Sequence, residues 1–489
     1  MVPATPAEEA LPRSDWAPPT TSCTPPWPSH FVCALQRHGH LPRWADTALE
    51  LSLWSDCSSI NSGMFALNEL KRALREEASI DVKLNLYFTC DSDATCLEFA
   101  RINHKPRHTS RDMRNRDVVA GKYWCDTHRE YHDLPKRGLD VYVGTYPCSP
   151  WSRRGKRTGF AHPDAEMTII GLKSIMYMRP GVWVIETGEM PSAHGLDDIM
   201  AKIAEVMQGG DVAYVIRPVR NLTPAHSGYP ARRTRTFIMG WRHDLVDVAT
   251  VAQPLECLIT NPIPVDATFW TFLGLQCDID WSRVGELAAN PAEIAAISLS
   301  GCLCGVDPWA ICPVHACKCK RCGDDGKSCK WRGHLSKFIE DEGLRRVITA
   351  NEGTLTYMQV LELSGRRGPE SPRSRILINL IAMCAKTRLL RDTLMIADIS
   401  PNPPFGDHLG NGEAPVLTTT SQLWVLRAGE ALRAKHCAAL MGINIADVLV
   451  HERMTDSWMC GRLGLVVHVG NFGVILLAAL TPCLRRAIG

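Results

Sequence analysis

Short apolar runs that end in small or polar residues recur through the first half of the chain. Residues 48–54 alternate as a strand does, and a small-residue loop separates them from a helical pattern that begins near Gly63. Residues 84–90 form a second strand-like run, which ends at Asp91 and precedes a helical pattern over residues 94–103. This alternation of strands and helices predicts an α/β domain with a parallel sheet.

Three further apolar runs continue the pattern, and each lies beside a reactive or charged side chain. Residues 141–143 lead into the turn that holds Cys148, residues 182–185 end at Glu186, and residues 236–240 follow two arginines. Open α/β sheets gather their functional groups at the carboxyl ends of the strands, so we expect these side chains to share one cleft. Cysteine is also common as a small core residue, and that alternative stays open for Cys148.

Composition limits the classes of protein to consider. The chain has 489 residues, of which 45% are hydrophobic and 22% charged, with a net charge of +2. Such a chain is globular with two or three domains, and any nucleic-acid surface must be a local patch. The N-terminal residues lack the apolar segment of a secretory signal, so we expect an intracellular, reducing environment. Residues 463–480 are apolar but contain His468 and Asn471, which favours a core element over a membrane span.

The pattern also predicts four regions. Residues 1–30 contain eight prolines and are expected to be a disordered leader. Residues 31–245 are expected to form the α/β domain that holds the candidate cleft, and residues 406–489 are expected to complete it. Between them, over residues 246–405, the pattern weakens, and this region contains a Cys-rich segment at 302–329. Thiolates and an imidazole at these spacings predict structural zinc, with the candidate ligands Cys302, Cys304, Cys312, His315, Cys317, Cys319, Cys322 and Cys329.

The turn after residues 141–143 resembles the nucleophile motif of the DNA cytosine-5 methyltransferases. The matching residues are Pro147, Cys148, Trp151 in place of Phe, Ser152 and Gly155. Glu186 resembles the catalytic acid of that family, although Thr187 and Gly188 replace the residues that usually follow it. A third motif is matched at Pro230, Arg233, Arg235, Phe237 and Gly240, with Ala231 in place of Gln.

The same resemblance implies a binding site for S-adenosylmethionine (SAM). The family's glycine-rich loop corresponds to Trp54, Ser55, Asp56, Ser58 and Ser59, where glycines are replaced and Asp56 could face the ligand's ammonium group. Asp91 matches the carboxylate that binds the ribose hydroxyls, and Asp112 matches the acid near the adenine. Pro147 adjoins the cofactor. The last motif fits two registers, of which Gly464 is preferred over Gly470-Asn471.

The resemblance therefore implies a Rossmann-like SAM-dependent methyltransferase domain with a smaller, Cys-rich target-recognition domain inserted before the C-terminal motifs. The implied activity is methyl transfer to C5 of a flipped DNA cytosine, with Cys148 as nucleophile, Glu186 as acid, and Arg233 and Arg235 holding the base. Two alternatives remain: an impaired relative that binds DNA, and an RNA cytosine-5 methyltransferase. The implied location is the nucleus, or the nucleoid of a bacterium.

Overall fold

The computed structural model describes residues 25–42, 44–151, 158–188, 193–208, 212–265, isolated positions between 357 and 382, and residues 395–400, 409–411, 413–426, 428–444, 448–451 and 453–488. The chain divides into two compact units. The first comprises Met1–Phe269 and Cys437–Gly489, and the second comprises Trp270–His436. The Cys-rich segment and its eight candidate zinc ligands lie outside the described residues.

The first unit is built on a seven-stranded sheet in the order β3-β2-β1-β7-β8-β10-β9. Its strands are β1 (Thr47–Asp56), β2 (Ile80–Cys90), β3 (His108–Ser110), β7 (Val141–Thr145), β8 (Val182–Gly188), β9 (Tyr214–Leu222) and β10 (Arg235–Arg242). Strands β3, β2, β1, β7 and β8 run parallel, whereas β10 is antiparallel to both of its neighbours. The five apolar runs in the sequence therefore all become strands of one sheet, as expected.

A separate three-stranded antiparallel sheet follows β3. It consists of β4 (Arg116–Asp117), β5 (Lys122–Cys125) and β6 (Glu130–Asp133). In the second unit, a four-stranded sheet has the order β12-β11-β13-β14, with bounds Met395–Asp398 for β11, Leu409–Asn411 for β12, Leu423–Val425 for β13 and Glu430–Ala431 for β14.

Helices flank the large sheet because each carries an apolar face that needs burial. Those before β10 are α1 (Trp27–Arg37), α2 (Ser62–Ala78), α3 (Ala94–Asn103), α4 (Ala165–Met178) and α5 (Ala193–Met207). Those after it are α6 (Gln253–Thr260), α7 (Ala434–Leu440), α8 (Asp456–Leu463) and α9 (Val469–Ile488). The helical pattern over residues 94–103 is thus confirmed, with Asp93 as its N-cap, accepting from Thr95 N at 2.8 Å.

Helix α9 is a long, apolar helix. By length and composition it could cross a membrane, yet 67% of its apolar window is buried within the protein. It packs against α2, and Trp241 of β10 donates its indole N–H to the carbonyl of Ala479 at 2.8 Å. The apolar C-terminal segment thus supplies a core helix, as its polar residues indicated.

The observed division differs from the predicted domain limits. Residues 246–269 belong to the first unit, and residues 406–436 belong to the second. Helix α1 also begins at Trp27, within the segment expected to be a disordered leader. Its Trp27, Phe31 and Leu35 side chains are buried. The eight prolines obscured this helix, since Pro28 lies in its first turn, where a missing N–H costs nothing.

Candidate active site

The pairing of the central strands places the reactive residues at one edge of the sheet. On parallel strands β7 and β8, Thr145 lies beside Glu186, and the turn that follows Thr145, the last residue of β7, holds Cys148. Strand β10 runs in the opposite direction, so its first residue, Arg235, lies beside Gly188 at the end of β8. Because β10 is antiparallel to β8, Arg235 at the start of β10 lies next to the carboxyl end of β8.

The turn after β7 presents Cys148 to solvent. Its thiol is exposed, in contrast to most of the described cysteines, which are buried or half-buried. The backbone N–H of Trp151 donates to the Cys148 carbonyl at 3.0 Å, which closes the turn. The Trp151 ring is buried and meets Phe160 edge to face, so it anchors the turn on the core. Ser152 and Gly155 lie outside the described residues.

Glu186 is a buried carboxylate with an arginine partner. Its Oε1 lies 2.8 Å from Nε of Arg235, and only 7% of the residue is exposed. Burial raises the pKa of Glu186, while the charges of Arg235 and Arg233 oppose this rise. The carboxyl group is therefore shifted towards holding a proton, as a general acid requires.

Arg233 completes this charged group. It is buried, and its guanidinium donates to the carbonyl of Gly464 at 2.9 Å. Burial and the neighbouring Arg235 lower the pKa of Arg233, while Glu186 and Cys148 act in the opposite direction. Cys148 is thus close enough to Arg233 for the two charges to interact, so the structure brings all four predicted catalytic residues to one place.

The loop after β1 meets the end of β2 through backbone contacts. Ser59 N–H donates to Asp91 Oδ2 at 2.7 Å, and Ser58 N–H donates to the carbonyl of Cys90 at 3.1 Å. The other oxygen of Asp91 accepts from Asp93 N at 2.9 Å. Burial raises the pKa of Asp91, which these two N–H donors partly offset. Each Asp91 oxygen keeps a lone pair for a further donor.

Left-handed backbone occurs at three residues of this loop, of which Ser59 corresponds to a glycine of the family motif. Cys57, Ser59 and Asn61 have φ values of +53°, +48° and +61°. The loop thus adopts the backbone region that glycine favours, at a strain cost of about 1–3 kcal/mol for each residue. Ser55 is also buried here, with its hydroxyl 3.5 Å from the Asn61 side chain.

Two of the expected ligand-facing side chains point into the core instead. Both Asp56 oxygens accept from Arg116, at 2.8 and 2.7 Å, and Tyr142 also donates to this carboxylate. Asp56 is therefore fully buried and paired, which corrects the expectation that it faces an ammonium group. The Trp54 ring stacks on Phe88 with centroids 3.9 Å apart, so it is a core residue too.

Arg116 is the partner of Asp56, and the sequence did not predict this pairing. It lies 60 positions after Asp56 in a short strand, so no local pattern links the two residues. Asp56 and Arg116 form a buried ion pair beneath the cofactor loop, and the Arg116 guanidinium also lies over the Trp54 ring. Asp56 raises the pKa of Arg116 above its usual value, although burial alone would lower it. The ion pair holds Asp56, and with it the start of the loop after β1, against the core.

Asp112 lies at the surface and already has a local partner. Its carboxylate accepts from the backbone N–H of Arg114 at 2.9 Å and pairs with the Arg114 guanidinium at 2.8 Å. These contacts lower the pKa of Asp112 and cap a short 3-10 helix, Met113–Asn115. The contacts described for this partly exposed carboxylate are thus made with Arg114.

The two registers of the last predicted motif lie on different helices. Gly464 ends α8, and residues 465–468 are not helical. Gly470 and Asn471 instead lie in the first turn of α9, where Asn471 donates to the carbonyl of Leu222 at 3.2 Å. The next residue, Phe472, adjoins Gly63 at the start of α2, where an added Cβ would lie 3.3 Å from its ring. Gly470 and Asn471 thus contact Ser227 and the end of β9, whereas Gly464 contacts Arg233.

A mostly parallel α/β sheet with an exposed cysteine beside a buried acid and two arginines is an arrangement suited to covalent catalysis on a flat, polarised ring. Comparison with known proteins agrees with this class. Residues 71–262 match the family model of the C-5 cytosine-specific DNA methylases. This segment of the chain is therefore similar to the DNA cytosine-5 methyltransferase family. The match includes Cys148, Glu186, Arg233 and Arg235, but begins after the altered loop that follows β1.

Curated relatives match over a shorter stretch. The type II methyltransferase M.BsuFI of Bacillus subtilis is 28% identical over 116 residues, which is 23% of this chain and 27% of that protein. M.PspPI of Psychrobacter sp. (strain TA137) is 25% identical over 116 residues, 24% of this chain and 27% of that protein. The chain thus matches about a quarter of the length of these relatives.

Solved structures of low similarity also align with the chain. The S. pombe Dnmt2 methyltransferase has 12% identity and a TM-score of 0.41, covering 88% of this chain and 99% of its own. The Entamoeba histolytica methyltransferase EhMeth has 11% identity and a TM-score of 0.41, covering 88% and 98%. The strand order and strand directions described above define the fold.

Proposed function

We propose that this protein transfers a methyl group from SAM to C5 of a cytosine in DNA, through a covalent bond between Cys148 and the base. One observation carries the proposal: an exposed thiol lies at the same sheet edge as the buried Glu186, which is paired with Arg235 and faces a second arginine, Arg233. The similarity of residues 71–262 to the C-5 cytosine-specific DNA methylases supports the same reaction.

The residues around the β1 and β2 ends fit SAM in part. Asp91 offers a half-buried carboxylate with free lone pairs, as two ribose hydroxyls need. Ser58, Ser59 and Pro147 adjoin the same edge, and Phe472 of α9 contacts Gly63 at the start of α2. The buried side chains of Asp56 and Trp54 support the loop after β1 from the core side. SAM, when bound there, supplies an electrophilic methyl group.

Cys148 acts first in the proposed reaction. Its thiolate forms a bond to C6 of cytosine, and the ring electrons move to C5, which makes C5 nucleophilic. Glu186, with its raised pKa, holds a proton against N3 and prevents charge from accumulating on the ring. C5 then takes the methyl group, with S-adenosylhomocysteine as the leaving group. A base removes the C5 proton, the bond from sulfur to C6 breaks, and the thiolate is restored.

The two arginines have a positioning and electrostatic role in this proposal. Arg235 fixes the Glu186 carboxyl group at 2.8 Å, so the acid is oriented before substrate binds. Arg233 is buried near Cys148, and its guanidinium donates to the carbonyl of Gly464 at 2.9 Å, so its cationic group is held in place at the site. A cytosine within a duplex cannot reach either group, so the base must rotate out of the helix. We expect the protein to act where DNA is found, in a nucleus or nucleoid.

Covalent trapping tests the proposal. The full chain is incubated with SAM and a duplex containing 5-fluorocytosine, whose C5 fluorine cannot leave as a proton does. Wild type and Cys33→Ser should both form an adduct that survives denaturation, whereas Cys148→Ser should form none. Cys33 is a suitable control because it is a half-buried thiol of α1, outside the site.

The other outcomes are informative as well. An adduct that persists in Cys148→Ser would reject this thiol as the nucleophile. If wild type binds SAM in calorimetry but forms no adduct with DNA, the same assay with 5-fluorocytosine RNA tests the RNA alternative. Absence of both SAM binding and adduct would reject the enzyme and favour an impaired, DNA-binding relative.

A further inference from the structure

Three histidines and a cysteine converge at the free edge of the large sheet, away from the residues used above. Their metal-binding atoms all lie within 4.8 Å of one another. His108 lies on the edge strand β3, Cys125 at the end of β5, His128 in the β5–β6 turn and His132 on β6. Nothing in the proposed methyl transfer uses these four residues.

The hairpin register explains the convergence. Cys125 and Tyr123 are two positions apart on β5 and pair with Glu130 and His132 of β6, so all four side chains share one face. That face turns towards β3, where the backbone N–H of Asp126 donates to the carbonyl of Thr109 at 2.7 Å. The neighbouring His108 is thereby brought to the hairpin.

The distances suit a tetrahedral metal ion. The Cys125 sulfur lies 3.3 Å from Nδ1 of His128, and the three imidazole centroids are 4.6–5.0 Å apart. Zinc bound by one sulfur and three nitrogens spaces its ligand atoms about 3.4–3.7 Å apart, given Zn–N and Zn–S bonds of about 2.1 and 2.3 Å. A small inward movement of the side chains would complete the site.

The cluster also contains polar atoms that need a partner. Nδ1 of His108 and Nε2 of His132 are buried and make no hydrogen bond with any described residue. The Glu130 carboxylate is 3.5 Å from Nε2 of His132, which is too far for a good hydrogen bond. It is close enough to offset part of the positive charge of a bound metal ion. Buried nitrogens without partners cost about 1–3 kcal/mol each, and a metal ion would remove that cost.

We propose that His108, Cys125, His128 and His132 bind one zinc ion that fastens the β5–β6 hairpin to strand β3. Four protein ligands leave no open position for a substrate, so the site is structural rather than catalytic. The ion would also support the loop that carries Asp112, because Arg111 N–H donates to Asp126 Oδ2 at 2.6 Å. This site is distinct from the Cys-rich segment at residues 302–329.

Zinc content of the purified full chain tests the site. His128 is exposed, so His128→Ala removes a ligand without opening a core cavity. We expect this variant to hold one zinc equivalent less than wild type after dialysis against a moderate chelator, with binding more than about 100-fold weaker. His128→Cys supplies a replacement ligand and should retain the ion. The exposed His38→Ala is the matched control and should equal wild type.

Cobalt provides an independent readout. Co²⁺ bound to the full chain should show a thiolate charge-transfer band, and the part of that band due to Cys125 should vanish in Cys125→Ser. Comparison with wild type removes any contribution from other cysteines. Equal zinc content in wild type and His128→Ala, or an unchanged cobalt spectrum in Cys125→Ser, would overturn the proposal.

Discussion

The guanidinium of Arg235 and the carboxylate of Glu186 form an ion pair at 2.8 Å across antiparallel strands β10 and β8. Strands β3, β2, β1, β7 and β8 are parallel, whereas β10 is antiparallel to β8. Arg235, the first residue of β10, therefore lies at the carboxyl end of β8, where it pairs with Glu186. The pair is buried, so its orientation is set before any substrate arrives.

Glu186→Gln should abolish most of the proposed methyl transfer while keeping the hydrogen bond to Arg235. We expect kcat to fall by about 10²–10⁴-fold, because the amide cannot supply a proton to the base. Transfer of a labelled methyl group from SAM to duplex DNA measures this. Glu256→Gln, at an exposed position on α6, is the matched control. A Glu186→Gln variant with full activity would exclude this residue as the acid.

Asp91→Asn should weaken SAM binding. The variant loses a charged acceptor at the end of β2, and charge-assisted hydrogen bonds contribute about 1.5–3 kcal/mol, so the Kd should rise about 10- to 150-fold. Calorimetry with SAM measures the change. Asp81→Asn alters an exposed acid at the other end of the same strand and should leave the Kd unchanged. Equal affinities for wild type and Asp91→Asn would place SAM elsewhere.

Arg116→Leu should destabilise the protein strongly. It would leave the buried Asp56 carboxylate without its cationic partner, at an expected cost of about 3–5 kcal/mol in the free energy of unfolding. Denaturant unfolding measures the loss. Lys122→Leu breaks an exposed ion pair with Asp133 in the neighbouring hairpin and should cost less than about 1 kcal/mol. Similar small losses in both variants would show that the buried pair contributes little.

Acid should destabilise the first unit through His468. Burial, with Arg233 nearby, lowers the pKa of His468 to about 3, and its Nδ1 accepts from Asn471 N–H at the start of α9. The unfolded chain binds a proton near the usual value of about 6.5, so this stabilisation is complete above that pH and is lost as pH falls. At pH 5 the loss is up to about 2 kcal/mol.

The variant His468→Asn isolates this effect. Asparagine can still cap α9 but does not titrate, so its unfolding free energy should change less than that of wild type between pH 7 and pH 5. Guanidinium unfolding at both pH values gives the comparison. Parallel pH curves for the two proteins would rule out His468 as the titrating group.

The sequence predicted the sheet well because each strand is a short apolar run with a clear end. Cys148, Glu186, Arg233 and Arg235 followed from their positions at those ends. The role of Asp56 could not be predicted, since its partner, Arg116, comes from a distant strand. The choice between Gly464 and Gly470 also depended on where α9 begins, which periodicity in a uniformly apolar segment does not define.

The zinc proposal shows a different limit. The spacing of Cys125, His128 and His132 is visible in the sequence and is a recognisable metal-ligand pattern. Three ligands on one hairpin do not close a tetrahedral site, however, and the fourth, His108, joins them only because β3 is the edge strand. Tertiary structure was therefore needed to complete the set.

The late position of α9 in the chain has a consequence for synthesis on the ribosome. Trp27 of α1 packs against Gly473, and Trp241 of β10 donates a hydrogen bond to Ala479. Helix α1 and strand β10 therefore complete their packing only after α9 has been synthesised. A nascent chain that has emerged only as far as residue 436 carries every strand of the large sheet but lacks the cover for its apolar face. That face stays exposed until α9 has been synthesised, and exposed apolar surface on a nascent chain is prone to aggregation.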